Sequence, residues 1–125
     1  MMQYKMWIDN QWVEASSGKT YKVVNPATEE EIAQLPLGDK RDVDKAVVAA
    51  KKALPIWSKK SQDERTNILN QIAATMREYI PELARLDTMD HGTPIKMALG
   101  MMTGGPKQLE WAGQASRALM GEYIP

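Results

Sequence analysis

The chain of 125 residues has the length of one ordinary domain, and a hydrophobic content of 43% is too high for a disordered segment. Sixteen basic and sixteen acidic residues cancel, which leaves no electrostatic footprint for nucleic acid or an anionic membrane surface. With no cysteine, disulfides, thiolate metal sites and thiol nucleophiles are excluded within these residues.

The front of the chain is rich in strand signals. Trp7-Ile8-Asp9 and Gln11-Trp12-Val13 flank a turn at Asp9-Asn10, and aromatic and branched residues around an Asp/Asn turn predict a hairpin. Lys19 to Val24 alternates polar and apolar residues and predicts a strand. Asn25-Pro26-Ala27-Thr28 is a turn, because proline presets φ and asparagine bonds its own backbone. Glu31 to Leu35 is a weaker strand, closed by Pro36 and Gly38.

Helical signals follow. Asp39 has the character of an N-cap, with Asp42 adding negative charge to the first turn. Val43, Ala46, Val47, Ala50 and Leu54 share one helical stripe, and Pro55 is expected to end that helix. Ser61-Gln62-Asp63-Glu64 is a capping box. Leu69, Ile72, Ala73, Met76, Ile80 and Leu83 form the stripe behind it, interrupted or kinked at Pro81 and stopped by Gly92 and Pro94. Gly100, Gly104 and Gly105 suggest a flexible interhelix loop, after which Pro106 opens a last helix. There Leu109, Ala112, Ser116, Leu119 and Met120 share one face and Trp111, Ala115 and Ala118 the next, with Gly121 as a cap. The apolar pair near the Glu122–Pro125 end suggests that native structure continues past it.

The expected fold class is therefore α/β, with a small antiparallel β region over residues 1–38 and about four helices over residues 39–125. Nine methionines fit an irregular core, and also a surface meant for another chain or domain. No apolar stretch is long enough to cross a bilayer, and Met1–Asn10 lacks the apolar run of a secretory signal, so no membrane partner is expected and the cytoplasm is the default location.

Motifs that carry chemistry are weak. Gly18-Lys19-Thr20 resembles the tail of a phosphate loop, but Val13 stands where the leading glycine belongs and a strand pattern follows instead of a helix. No Gly-x-Gly-x-x-Gly occurs. Ser16-x-x-Lys19 lacks the companion motifs of a serine–lysine enzyme. His91, the only histidine, has no second imidazole or thiol for a metal and is placed to favour the negative end of a helix. Glu29-Glu30-Glu31 does not converge on one side and reads as a solvated turn.

Several pieces in order nevertheless form a specific set. Trp7-Ile8-Asp9-Asn10-Gln11-Trp12-Val13, Ser17-Gly18-Lys19-Thr20, Val24-Asn25-Pro26-Ala27-Thr28, Gly38-Asp39, Asp42-Val43-Asp44-Lys45-Ala46-Val47, Trp57 and Asp63-Glu64-Arg65 are followed by Leu83 to Asp90 and Trp111-Ala112-Gly113. This order resembles the amino-terminal part of the NAD(P)-dependent aldehyde dehydrogenase superfamily, over nearly the whole chain. Asp90-His91-Gly92-Thr93-Pro94 departs from the family's Asp-Asn-Gly-Lys-Pro but keeps the glycine and proline of the turn.

The resemblance implies oxidation of an aldehyde to a carboxylic acid, or to a thioester in some branches, with NAD or NADP. A cysteine thiolate would attack the carbonyl, and a glutamate-activated water would release the acid. Those groups and the cofactor loops belong to later parts of the family pattern. The implied fold is thus the front of a Rossmann-type dinucleotide-binding domain without its central parallel sheet and without the catalytic and oligomerisation parts. The segment alone is expected to be inactive and to bind no NAD or NADP, with no catalytic residue of its own. In many members a monovalent cation is held by backbone oxygens at positions matched here by Val23 and Val24, while the carboxylate often supplied from the region of Met97 to Thr103 is absent. The implied partner is the remainder of an aldehyde dehydrogenase chain, or a second copy through self-association. The competing expectations are a stand-alone helical interaction module and a gene remnant.

Overall fold

A computed structural model of the chain describes residues 2–115. The elements run β1 (Met2–Gln3), β2 (Met6–Ile8), β3 (Gln11–Val13), β4 (Thr20–Val24), β5 (Glu31–Pro36), α1 (Lys40–Ser58), α2 (Gln62–Glu78), α3 (Ile80–His91) and α4 (Ile95–Ala115). The expectations for Ser116, Ala118, Leu119, Met120, Gly121 and the Glu122–Pro125 end lie outside the described residues. The described residues form two compact units, one from 2–59 with 89–92 and one from 60–88 with 93–115, so α1 groups with the strands. Among the described residues no helix is long and apolar enough to cross a membrane.

In the first unit β2 and β3 pair antiparallel, with Trp7 opposite Trp12. Asp9 and Asn10 both take positive φ, at 52° and 60°. Two left-handed residues make a turn whose twist matches the strands, and Asp and Asn tolerate that region better than most side chains. The Trp7 and Trp12 rings meet edge to face with centroids 4.8 Å apart. The second sheet has the order β1-β5-β4. β4 and β5 are antiparallel, as expected, but β1 joins β5 in parallel, Met2 beside Ala33 and Gln3 beside Gln34. A two-residue strand carries no periodicity to read, and it is recruited by the unpaired edge of β5.

Both predicted N-caps form. The Asp39 carboxylate accepts from the Arg41 N–H at 2.8 Å, and Asp42 returns an acceptor to the Asp39 N–H at 3.0 Å. Ser61 and Glu64 make the same reciprocal pair, at 3.2 and 2.7 Å. Pro55 does not end α1, which continues to Ser58. So close to the helix end the proline gives up one backbone bond and leaves few turns to disrupt. Near Pro81 the chain does break: α2 stops at Glu78, Tyr79 caps it, and Pro81 lies in the first turn of α3, where a missing N–H costs nothing.

The larger correction concerns the last helix. It begins at Ile95 and runs unbroken through Gly100, Gly104, Gly105 and Pro106, so there is no interhelix loop at the glycines and no helix start at the proline. In the second unit α4 packs antiparallel on α2, as Thr66 with Gly113 and Arg77 with Glu110 show. That contact explains the continuity. A Cβ at Gly105 would stand 3.3 Å from the Met76 methyl, and one at Gly113 would stand 3.3 Å from the Thr66 methyl and 3.4 Å from its Cα. Gly105 and Gly113 permit close helix approach, and Pro106 is fully buried, so apolar burial offsets its missing bond. Ala73, Ala84 and Ala98 complete this core with no exposed surface.

Candidate functional site

The predicted cation position lies where β4 ends. Successive carbonyls of a regular strand point to opposite edges, so Val23 and Val24 can address one ion only where the pleat is broken. The register shifts there, Val23 facing Ala33 and Val24 facing Glu31, but the extra residue is Ile32 on β5, so the bulge lies in the partner strand and does not itself turn the Val23 and Val24 carbonyls toward one ion. The turn beyond is held by its own atoms. Asn25 Oδ1 accepts from the Ala27 N–H at 2.9 Å, the Asn25 N–H reaches the Glu30 carbonyl at 2.9 Å, and Glu29 takes a left-handed φ of 59°. Glu31 is engaged by Lys22 at 2.5 Å and by the Gln34 amide at 3.1 Å, and these partners, Lys22 foremost, hold its carboxyl below the usual range. Among the described residues no three His, Asp or Glu side chains converge on a metal position, so a cation here would depend on main-chain oxygens.

The densest polar cluster was not legible in the sequence. Asp42, read there as first-turn charge, is only 3% exposed. Both its oxygens accept from the Ser16 N–H at 3.1 Å, and the Ser16 hydroxyl donates to Oδ1. Lys45 Nζ donates to Ser16 Oγ at 2.8 Å and stands 4.0 Å from Asp42. Ser16 therefore pairs with Lys45 and not with Lys19, and the serine–lysine spacing of the sequence has no structural counterpart. The hydroxyl is not activated: its proton faces a carboxylate that is a weak base, and its lone pair is taken by an ammonium. The Ser16 hydroxyl, followed by the Asp39 N–H, holds the Asp42 carboxyl below its usual range, while desolvation pulls the other way. The cluster is a clasp that ties the segment after β3 to the start of α1.

A pH prediction follows from that clasp. A carboxylate whose folded pKa is depressed contributes stability fully above its unfolded value, about 3.9, and loses it as pH falls through the lower folded value. The wild-type melting temperature should therefore exceed that of Asp42→Asn at neutral pH, and the gap should close below about pH 3.9. Thermal melts of both proteins across that range provide the check. A gap of constant size would show that the carboxylate charge is not what the clasp uses.

Other predicted positions do not gather. His91 is the exposed last residue of α3, and among the described residues it joins no group of three possible metal ligands. Gly18, at φ +67°, serves a loop turn with open space around it, and no helix follows. The apolar stripe of α1 is open in this unit: Val43, Val47 and Leu54 are all exposed, as are Val48 and Ile56.

Comparison with known proteins settles the family. The profile of the aldehyde dehydrogenase family matches residues 12–125. This chain belongs to the aldehyde dehydrogenase family. Malonate-semialdehyde dehydrogenase 1 of Geobacillus thermodenitrificans is 40% identical over 121 residues, which is 97% of this chain and 25% of that protein. 3-Sulfolactaldehyde dehydrogenase of Pseudomonas putida is 34% identical over 125 residues, all of this chain and 26% of that protein. The crystal structure of an NAD-dependent aldehyde dehydrogenase from Sinorhizobium meliloti superposes with a TM-score of 0.90 at 32% identity, over 96% of this chain and 24% of that one. The chain thus spans about a quarter of the length of the relatives it matches.

As an aldehyde dehydrogenase segment the chain makes sense of its own surface. The family's strand and turn pieces fold here as the Asp9-Asn10 hairpin, the Asn25 turn and the Gly92 turn, whose glycine takes φ +78°. The helices carry more exposed apolar residues than a finished surface needs, among them Ile56, Met97 and Trp111.

Proposed function

We propose that this chain is the amino-terminal quarter of a cytoplasmic enzyme that oxidises an aldehyde to a carboxylic acid with NAD or NADP, and that on its own it performs no hydride transfer and binds no cofactor. The observation that carries this reading is the family match over residues 12–125 in a sequence that spans a quarter of its relatives and holds no cysteine. Without a thiolate there is no nucleophile for the carbonyl, and no group described here could replace it. Its role is structural, and the remainder of an aldehyde dehydrogenase is its partner. Two of the relatives named above are, by their names, dehydrogenases of aldehydes that also carry a carboxylate or a sulfonate, which supports a small anionic aldehyde as substrate class. A monovalent cation held by main-chain oxygens of Val23 and Val24, as the family resemblance implies, belongs to the same reading.

The test is a chimera in which this chain replaces the matched quarter of the Geobacillus malonate-semialdehyde dehydrogenase. The chimera should form NADH from malonate semialdehyde, whereas the 125-residue chain alone should give none above a protein-free control. Melts of the chimera in potassium and in choline buffer read the cation site, with a higher transition expected in potassium. Turnover by the isolated chain, or a folded chimera with no activity, would overturn the reading.

A further inference from the structure

The outer edge of β4 is an open row of main-chain hydrogen-bonding groups. The Leu37 N–H donates to the Lys19 carbonyl at 2.8 Å and the Asn25 N–H to the Glu30 carbonyl at 2.9 Å, so the odd-numbered residues of this stretch turn their peptide groups toward β5. On the far side of β5, the Tyr4 N–H donates to the Gln34 carbonyl at 3.2 Å, which turns Gln34 toward β1 and away from its register partner Lys22. The N–H and C=O of Thr20, Lys22 and Val24 therefore point out of the sheet. Among the described residues no strand meets them, because the order β1-β5-β4 ends there, and all three residues are exposed.

The devices that blunt a free edge are missing from this one. β4 has no proline, and the extra residue of the register shift sits on β5. Its one charge is drawn inward, since Lys22 reaches Glu31 of β5 at 2.5 Å. Such an edge selects its occupant: alternating N–H and C=O groups are matched by another extended backbone. The side chains add a pattern. Tyr21 faces Leu35 and Val23 faces Ala33, which is 5% exposed, so this is the apolar face of the sheet. An added strand fits when it sets apolar residues beside Tyr21 and Val23 and polar ones beside Thr20 and Lys22.

We propose that the outer edge of β4 accepts an extended strand from the remainder of the longer enzyme, as a fourth strand of this sheet. The inference rests on the reading of the chain as the front quarter of such an enzyme. A strand on the same polypeptide suits this edge better than a separate molecule does. Five residues offer few hydrogen bonds, each worth little once bonds to water are exchanged, while free association also costs independent motion. A second copy meets a further obstacle, because the fully overlapping antiparallel register sets Lys22 against its own counterpart.

Hydrogen exchange over β4, read by mass spectrometry, tests the strand in the 125-residue chain and in the chimera with the Geobacillus enzyme. In the isolated chain the Tyr21 and Val23 amides should be slow and those of Thr20, Lys22 and Val24 fast. In the chimera the fast set should slow by about tenfold or more. Lys22→Pro removes only an outward N–H, so in the isolated chain it should melt with Lys22→Ala, which loses the same ion pair. In the chimera Lys22→Pro should melt below Lys22→Ala. An active chimera whose Lys22 and Val24 amides stay fast overturns the strand and leaves the proposed function standing, whereas a folded, inactive chimera overturns both. Slowing in the isolated chain that grows with its concentration also overturns the proposal, in favour of a second copy.

Discussion

Leucine in place of Gly113 should lower the stability of the helical unit by about 3 kcal/mol, a fall in melting temperature of roughly 10–15 °C for a domain of this size. Gly113 is a point of close approach between α4 and the backbone of α2. A single added carbon would stand 3.3 Å from the Thr66 methyl, 3.4 Å from the Thr66 Cα and 3.6 Å from the Leu69 methyl. The Cα belongs to the backbone and cannot rotate away, so a larger side chain must push the helices apart. Separation also breaks the 2.6 Å bond from the buried Thr66 hydroxyl to the Gly113 carbonyl, worth about 1 kcal/mol alone. Alanine at the same position should cost far less, because its gain of about 1 kcal/mol in helix propensity works against the crowding. Thermal melts of the two variants make the comparison, and a leucine variant that melts with wild type would show that α4 is not held against α2 at this point.

Valine in place of Gly92 is the second large effect expected, a loss of about 3 kcal/mol. Gly92 closes α3 at φ +78°, a left-handed conformation that a β-branched side chain resists. Space adds to the strain: a Cβ here would lie 3.1 Å from Cγ of Pro26, so the Asn25-Pro26 turn rests on this glycine. Gly18 offers an internal control. It has a similar φ of +67°, yet nothing lies within 4 Å of its missing Cβ, so Gly18→Val should pay the backbone strain alone. Equal melting temperatures for the two variants would refute the contact with Pro26.

Much of the local structure was written in short stretches of residues. The Asp9-Asn10 turn, the Asn25 turn and the Asp39 and Ser61 caps each depend on side chains within about four positions of the backbone they serve. The candidate cation position was placed at Val23 and Val24 by family resemblance, but the skipped Ile32 that breaks the pleat there belongs to the opposite strand. Prolines were misread in both directions. Pro55 and Pro106 sit inside helices that continue, because what a missing N–H costs depends on how near the helix end is and on what the ring is buried against.

Family membership and element types follow from the order of residues alone, since turns, caps and apolar periods act through bonds a few residues long. The clasp of Asp42 on Ser16 spans 26 positions and the bond of Thr66 to Gly113 spans 47, so they exist only once the chain has folded back on itself. Tertiary packing likewise carried one helix through glycines that read as a loop: a residue without a side chain is a weak helix former in isolation, but at Gly105 it is the residue that fits where two helices touch.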